Sequence, residues 1–160
     1  MELLVKDFPN LITWHCLNHR LDLAVDDAIA DLRSGINHFK IFIGKLHSVY
    51  SQSPKNKREL KEVAKNLDAQ ILKIGKVLST RWVASSHRTV LAVWNNYEAL
   101  YQHFKDKAAE KEKQSAMYEG LNKRIQSPEF LLDLALMCDV FFELSELSET
   151  LQHRSMTLTS

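Results

Sequence analysis

Cysteine is scarce in this 160-residue chain, with only Cys16 and Cys138 present. Two cysteines make no disulfide framework, so a reducing compartment is the expectation. Glycine is equally sparse at four residues, and no glycine-rich loop is there to cradle a phosphate. No apolar run approaches the ~20 residues needed to span a bilayer, so no membrane association is expected. The segment Met1-Glu2-Leu3-Leu4-Val5-Lys6-Asp7 lacks the basic-then-apolar order of a secretory signal. No internal repeat and no low-complexity tract occurs.

What is present has ordinary globular composition: 45% apolar and 26% charged residues, enough for one domain with a core or for a slice of something larger. The formal net charge is only +1, but the charge is unevenly placed. Lys55, Lys57, Arg58, Lys61, Lys65, Lys73, Lys76, Arg81 and Arg88 are opposed in the same stretch only by Glu59, Glu62 and Asp68. From Glu129 to Glu149 the balance reverses, with six acids and no base. A basic middle and an acidic end fit nucleic acid on one face and another partner on a second face. Solvated helix faces explain the same pattern without any partner.

Helical periodicity dominates. Leu21, Val25, Ala28, Ile29 and Leu32 step by three and four, and Gly35 interrupts them. Phe39, Phe42, Ile43, Leu46, Val49 and Tyr50 repeat the pattern until Ser53-Pro54 ends it. Asn56 with Glu59 reads as a capping pair opening a helix with the stripe Leu60, Val63, Ala64, Leu67, Ile71 and Ile74. Gly75 to Trp82 is irregular. A helix is expected from about Val83, with Val90, Val93, Trp94, Tyr97, Tyr101 and Phe104 on one side. The charged stretch Lys105 to Gln114 is expected to be exposed, as helix or mobile linker. Ser127-Pro128-Glu129 supplies a cap, a proline at the first helical position and a first-turn acid. The helix it opens carries Leu134, Met137, Phe141, Leu144, Ser148 and Leu151 as a stripe that can pair with another helix, within the chain or outside it. Leu11 to Cys16 reads as one buried strand, and a lone strand needs a neighbour. Together with an abrupt end at Arg154 to Ser160, that strand marks the chain as an expected part of a larger protein.

Two clusters bear chemistry. Cys16 and His19 have the spacing of half a zinc site, but no second pair supplies the other two ligands. A strand-to-helix corner with Cys16 buried as a small hydrophobe accounts for them equally. A cysteine nucleophile with His19 as base is disfavoured by the three-residue spacing and by the lack of an oxyanion loop. Asp22, Asp26 and Asp27 read as a solvated face rather than a two-metal site. No metal, no cofactor and no catalytic residue is therefore assigned. The second cluster runs from Ser79 to Arg88. Arg81, Trp82, Arg88 and the nearby Lys76 can hold backbone phosphates and stack on an unpaired base. Against that, Trp82 reads as core with Arg81 covering it by its aliphatic stem.

Cys16-Leu17-Asn18-His19-Arg20-Leu21-Asp22-Leu23 resembles the Cys-x-x-His-x-Leu-x-Leu block of hAT-type transposases. Arg81-Trp82 is similar to the Arg-Trp element of that family's helical insertion, and Leu144 to Gln152 resembles its Leu-Ser-x-x-Leu-Gln segment. The order and spacing of the three fit over roughly residues 8–155, and the nearest likeness is to host-encoded, domesticated members. The resemblance implies a mainly α chain, the helical insertion of an RNase H-like fold with a remnant strand near 11–16. Residues 1–33 would be the remnant of the catalytic core and 34–160 the incomplete insertion. It also implies that the Asp-Asp-Glu metal-binding triad lies outside this chain, so the chain is not an enzyme. It further implies a nuclear location, DNA as partner, Cys16 and His19 beside the catalytic pocket, and Trp82 against a flipped base. The competing expectations are a protein-interaction module, pairing or self-associating through Leu134, Phe141, Leu144 and Leu151, and a SUMO-ligase-like role. The last rests on likeness alone, for no RING-like metal pattern occurs.

Overall fold

The computed structural model describes residues 17–31, 35–75, 82–110 and 114–152. Within them lie seven helices and no strand: α1 (Leu17–Asp31), α2 (Gly35–Ser51), α3 (Pro54–Asn66), α4 (Trp82–Asn95), α5 (Tyr97–Ala109), α6 (Ser115–Ile125) and α7 (Pro128–Gln152). The chain is mainly α. The expected strand at 11–16 and the break near residue 33 lie outside the described residues.

The longest helix, α7, organises the rest. Ser127 accepts the amide of Phe130 through Oγ at 3.2 Å, and Pro128 occupies the first turn, where its missing N–H costs nothing. Helix α4 packs along α7 most extensively, and α1, α2 and α6 also touch it. Helices α5 and α6 form a second close pair, and α3 joins α2 to α5. At the centre Phe130 stacks on Phe39 at 5.8 Å and meets Phe42 edge-on at 4.7 Å. The stripes read from periodicity supply this core: Phe39, Phe42, Ile43, Leu46 and Tyr50 from α2, and Leu134, Met137 and Phe141 from α7. A membrane-crossing role finds no support in the helices, none of which is long and apolar enough among the described residues.

Three sequence expectations are corrected. Asn56 and Glu59 do not form a capping pair. Ser53 is the cap of α3, accepting the Asn56 amide at 3.2 Å, because Pro54 already fixes the first helical position. The Asn56 side chain instead donates to the Val49 carbonyl at 3.1 Å, tying α3 to α2.

The stripe from Leu60 does not continue to Ile74. Helix α3 ends at Asn66, and Asp68 takes a left-handed φ of 52°. Its amide bonds Lys65 O at 3.2 Å while the Ala69 amide bonds Ala64 O at 2.9 Å, the paired closure of a Schellman cap. Aspartate holds the position usually given to glycine, so the stop signal is weak in the sequence.

Trp94 is not on the inner face of α4. It is exposed, while Val90, Ala92 and Val93 are buried.

After the cap, residues 69–75 run back without regular structure, and the Asn96 side chain ties their backbone to the start of α5. Asn96 accepts the Leu72 amide at 2.9 Å and donates to the Leu72 carbonyl at 2.7 Å, pairing with that backbone as a neighbouring strand would. Asn96 is buried where α4 hands over to α5. Gly75 closes the segment against α4. A Cβ there would lie 2.7 Å from Thr89 Oγ1.

Candidate nucleic-acid interface

Lys57, Lys61 and Lys65 recur every four residues along α3, so they lie on one ridge of the helix, and all three are exposed. Leu60 and Ala64 from the same helix are buried against the core. The returning segment 69–75 brings the exposed Lys73 alongside. Between ridge and segment runs a cleft of about 370 Å³, lined by Leu60, Ile71, Leu72 and Ile74, with Lys57, Lys61 and Lys73 as its basic groups. A shallower recess of about 490 Å³ continues from it past Lys61, Ala64, Lys65 and Ile71. His47, Tyr50 and Ser51 of α2 also line the cleft and Asp68 and Gln70 the recess, so an aliphatic floor meets a mixed polar rim that carries four lysines.

Glu59, on the same helix, faces away from this row and towards α5. Glu59 receives Lys107 of α5 at 3.0 Å and Lys55 at 3.8 Å. Lys107 also contacts Glu110 at 2.8 Å. His103, buried in α5, lies with Nε2 3.5 Å from Glu59 Oε2 and Nδ1 2.8 Å from Tyr50 Oη. The tautomer that satisfies both contacts carries the proton on Nε2 and lets Tyr50 donate to Nδ1. Burial disfavours charge on the His103 ring more strongly than Glu59 favours it, so its pKa falls below the ordinary value. For Glu59, burial opposes ionisation, yet its bonds from Lys107 and His103 outweigh that, and its pKa falls. Lys107 is shifted upward, since its two carboxylate partners outweigh its own burial. Glu59 is therefore held as a carboxylate against α5, while the outward face of α3 carries the three lysines together with the exposed Arg58 and Glu62.

The residues named from sequence divide sharply. Arg88 is exposed on α4. Trp82 opens α4, but its side chain lies outside the described set, as do Lys76, Arg81 and Cys16. His19 is exposed on α1. Leu134 and Phe141 are core residues, and Leu144 packs against that core, so the stripe proposed for an outside partner is spent inside the molecule. Leu151 is half-buried near the end of α7.

Sequence reasoning missed α6, the Asn96 clamp and the pairing of His103 with Tyr50. Asn96 had one signal, a polar residue set between the apolar steps Val93 and Tyr97. His103 had none, because its partners lie 53 and 44 residues away in sequence. Among the described residues, no group of three or more His, Cys, Asp or Glu side chains is arranged to hold a metal ion.

No family model matches the chain, and no solved structure matches it.

Proposed function

We propose that this chain is a non-catalytic, nucleic-acid-binding helical segment that works within a longer protein. The observation that carries the reading is the exposed row Lys57, Lys61 and Lys65, with Lys73 beside it and no ion pair on any of the four among the described residues. Lysines in a row meet phosphates as point charges and release condensed counterions on binding. Arg88, Lys76, Arg81 and Trp82 extend the same reading, the last as a stacking group for an unpaired base. The resemblance to domesticated hAT-type transposases points the same way, and with it come DNA as the ligand and a nuclear location.

The test is a titration with single-stranded and hairpin DNA at 50 and 200 mM salt. Four phosphate contacts on a single strand give a log–log salt slope of roughly −3, hence a loss of about 50-fold over that range. Replacing Lys61, Lys65 and Lys73 by glutamine should flatten the slope by about 2, at ~0.7 per contact. Trp82→Ala should weaken binding to the single strand and leave the slope unchanged. Binding that ignores salt, or that survives the triple substitution with its slope intact, refutes the reading.

A further inference from the structure

Helix α7 is apolar on two sides. Phe130, Leu134, Met137 and Phe141 face the core. Leu132, Leu136, Val140 and Leu147 do not: they are 72%, 56%, 40% and 44% exposed. At 3.6 residues per turn these four lie within about 80° of one another, forming a ridge of about 22 Å from Leu132 to Leu147. A surface helix ordinarily turns its polar residues outward, and a helix apolar all round is ordinarily covered on both sides. Exposed apolar surface of this kind marks an interaction site.

The charges beside the ridge say what covers it. Glu143 lies within the ridge arc, Asp139 and Glu146 border it, and all three are exposed. Helix α7 contains no lysine or arginine. Pairing this ridge with its own copy would set carboxylate against carboxylate, or sink Glu143 against leucine, in either orientation. A cation opposite Glu143 removes that cost.

We propose that the Leu132–Leu147 ridge docks an amphipathic helix of a partner protein, with apolar residues at three- and four-residue spacing flanked by lysine or arginine. The apolar steps supply the burial, and the acids select the partner and its register. About 15 residues of partner helix match the ridge length. Phe142 lies apart from this surface, edge-on to His87 at 5.9 Å between ring centres.

The experiment uses the full chain and two synthetic helical peptides with the same leucine pattern, one flanked by lysine and one by glutamate, followed by fluorescence anisotropy. The lysine-flanked peptide should bind and the glutamate-flanked one should not. Leu132→Gln with Leu136→Gln should weaken that binding at least tenfold while thermal unfolding stays within a few degrees. Glu143→Lys with Glu146→Lys should reverse the preference between the peptides. Lys61→Gln with Lys65→Gln should leave peptide binding unchanged, separating this surface from the lysine row. Equal binding of both peptides, no binding of either, or binding that survives the paired glutamines overturns the proposal. So does a concentration-dependent dimer that Leu136→Gln dissolves, which would assign the ridge to a second copy.

Discussion

Replacing Asn96 by alanine removes the side chain that bonds the Leu72 backbone from both sides. Both its bonds go to one residue, so Leu72 loses a donor partner and an acceptor partner together. Leu72 is 40% exposed, which lets water recover part of each loss once the segment moves. A net hydrogen bond contributes about 0.5–1.5 kcal/mol, and a polar group left unsatisfied costs about 1–3 kcal/mol. With partial rehydration the expected destabilisation is about 2–3 kcal/mol. For a chain of this size that lowers the melting temperature by roughly 5–10 °C. Hydrogen exchange is the sharper assay. The Leu72 amide should lose its protection in Asn96→Ala, while amides in the middle of α7 should change only by the global shift. Asn96→Asp is the companion variant: it keeps an acceptor for the Leu72 amide but sets a carboxylate against the Leu72 carbonyl, and should be no better than alanine. A melting temperature unchanged within 2 °C, with Leu72 still protected, would refute the clamp.

Stability should also fall on acidification in two separable stages. His103 has a folded pKa below its ordinary value of 6.5, so the unfolded chain takes up a proton first, and stability declines as pH falls from about 6.5 towards the folded value. Glu59 is likewise depressed from 4.5, so its contribution is present above that pH and is lost as pH falls through its folded pKa. Chemical denaturation between pH 8 and pH 3 checks both. His103→Gln should remove the first stage and leave a decline that begins near 4.5, and an unaltered profile would show that His103 is not its source. Asp68→Gly should raise stability by about 0.5–1 kcal/mol, because glycine takes the left-handed conformation at the end of α3 without a Cβ penalty. Equilibrium unfolding measures it, and a loss of stability would mean that the aspartate side chain makes a compensating contact.

Where a helix is decided by its own neighbours in sequence, the sequence was readable. The serine, proline and acid at 127–129 open α7, and the aromatic steps from Phe39 to Tyr50 bury as their period requires. Where a boundary depends on tertiary contact, it was not. The stop of α3 uses an aspartate in the left-handed region, and the segment beyond it carries Ile71 and Ile74 at spacing that a continued helix would share. The distant Asn96 helps fix the alternative. The α7 stripe was read correctly as a contact face, but periodicity cannot say whether the neighbour is internal. The answer came from the opposite face. Leu132, Leu136, Val140 and Leu147 were there in the sequence too, at steps of four, four and seven, hidden by a helix that is apolar on nearly every side.

The ion cluster around Glu59 ties α3 to α5. Glu59 lies one turn after Lys55 and pairs with it at 3.8 Å, while Lys57, Lys61 and Lys65 fall at offsets that do not face it on the helix surface. Here Lys107 reaches across from α5 and takes Glu59 at 3.0 Å, and Tyr50 and His103 close the cluster from the core side. The cost of burying part of that carboxylate is offset by three cationic or donor groups, so the inward turn of Glu59 is stable rather than strained. Lys57, Lys61 and Lys65 lie exposed on α3 with Glu62 among them, while α7 has no basic residue of its own. On the two proposals made above, the lysine-row substitutions and the α7 substitutions should each affect only their own titration.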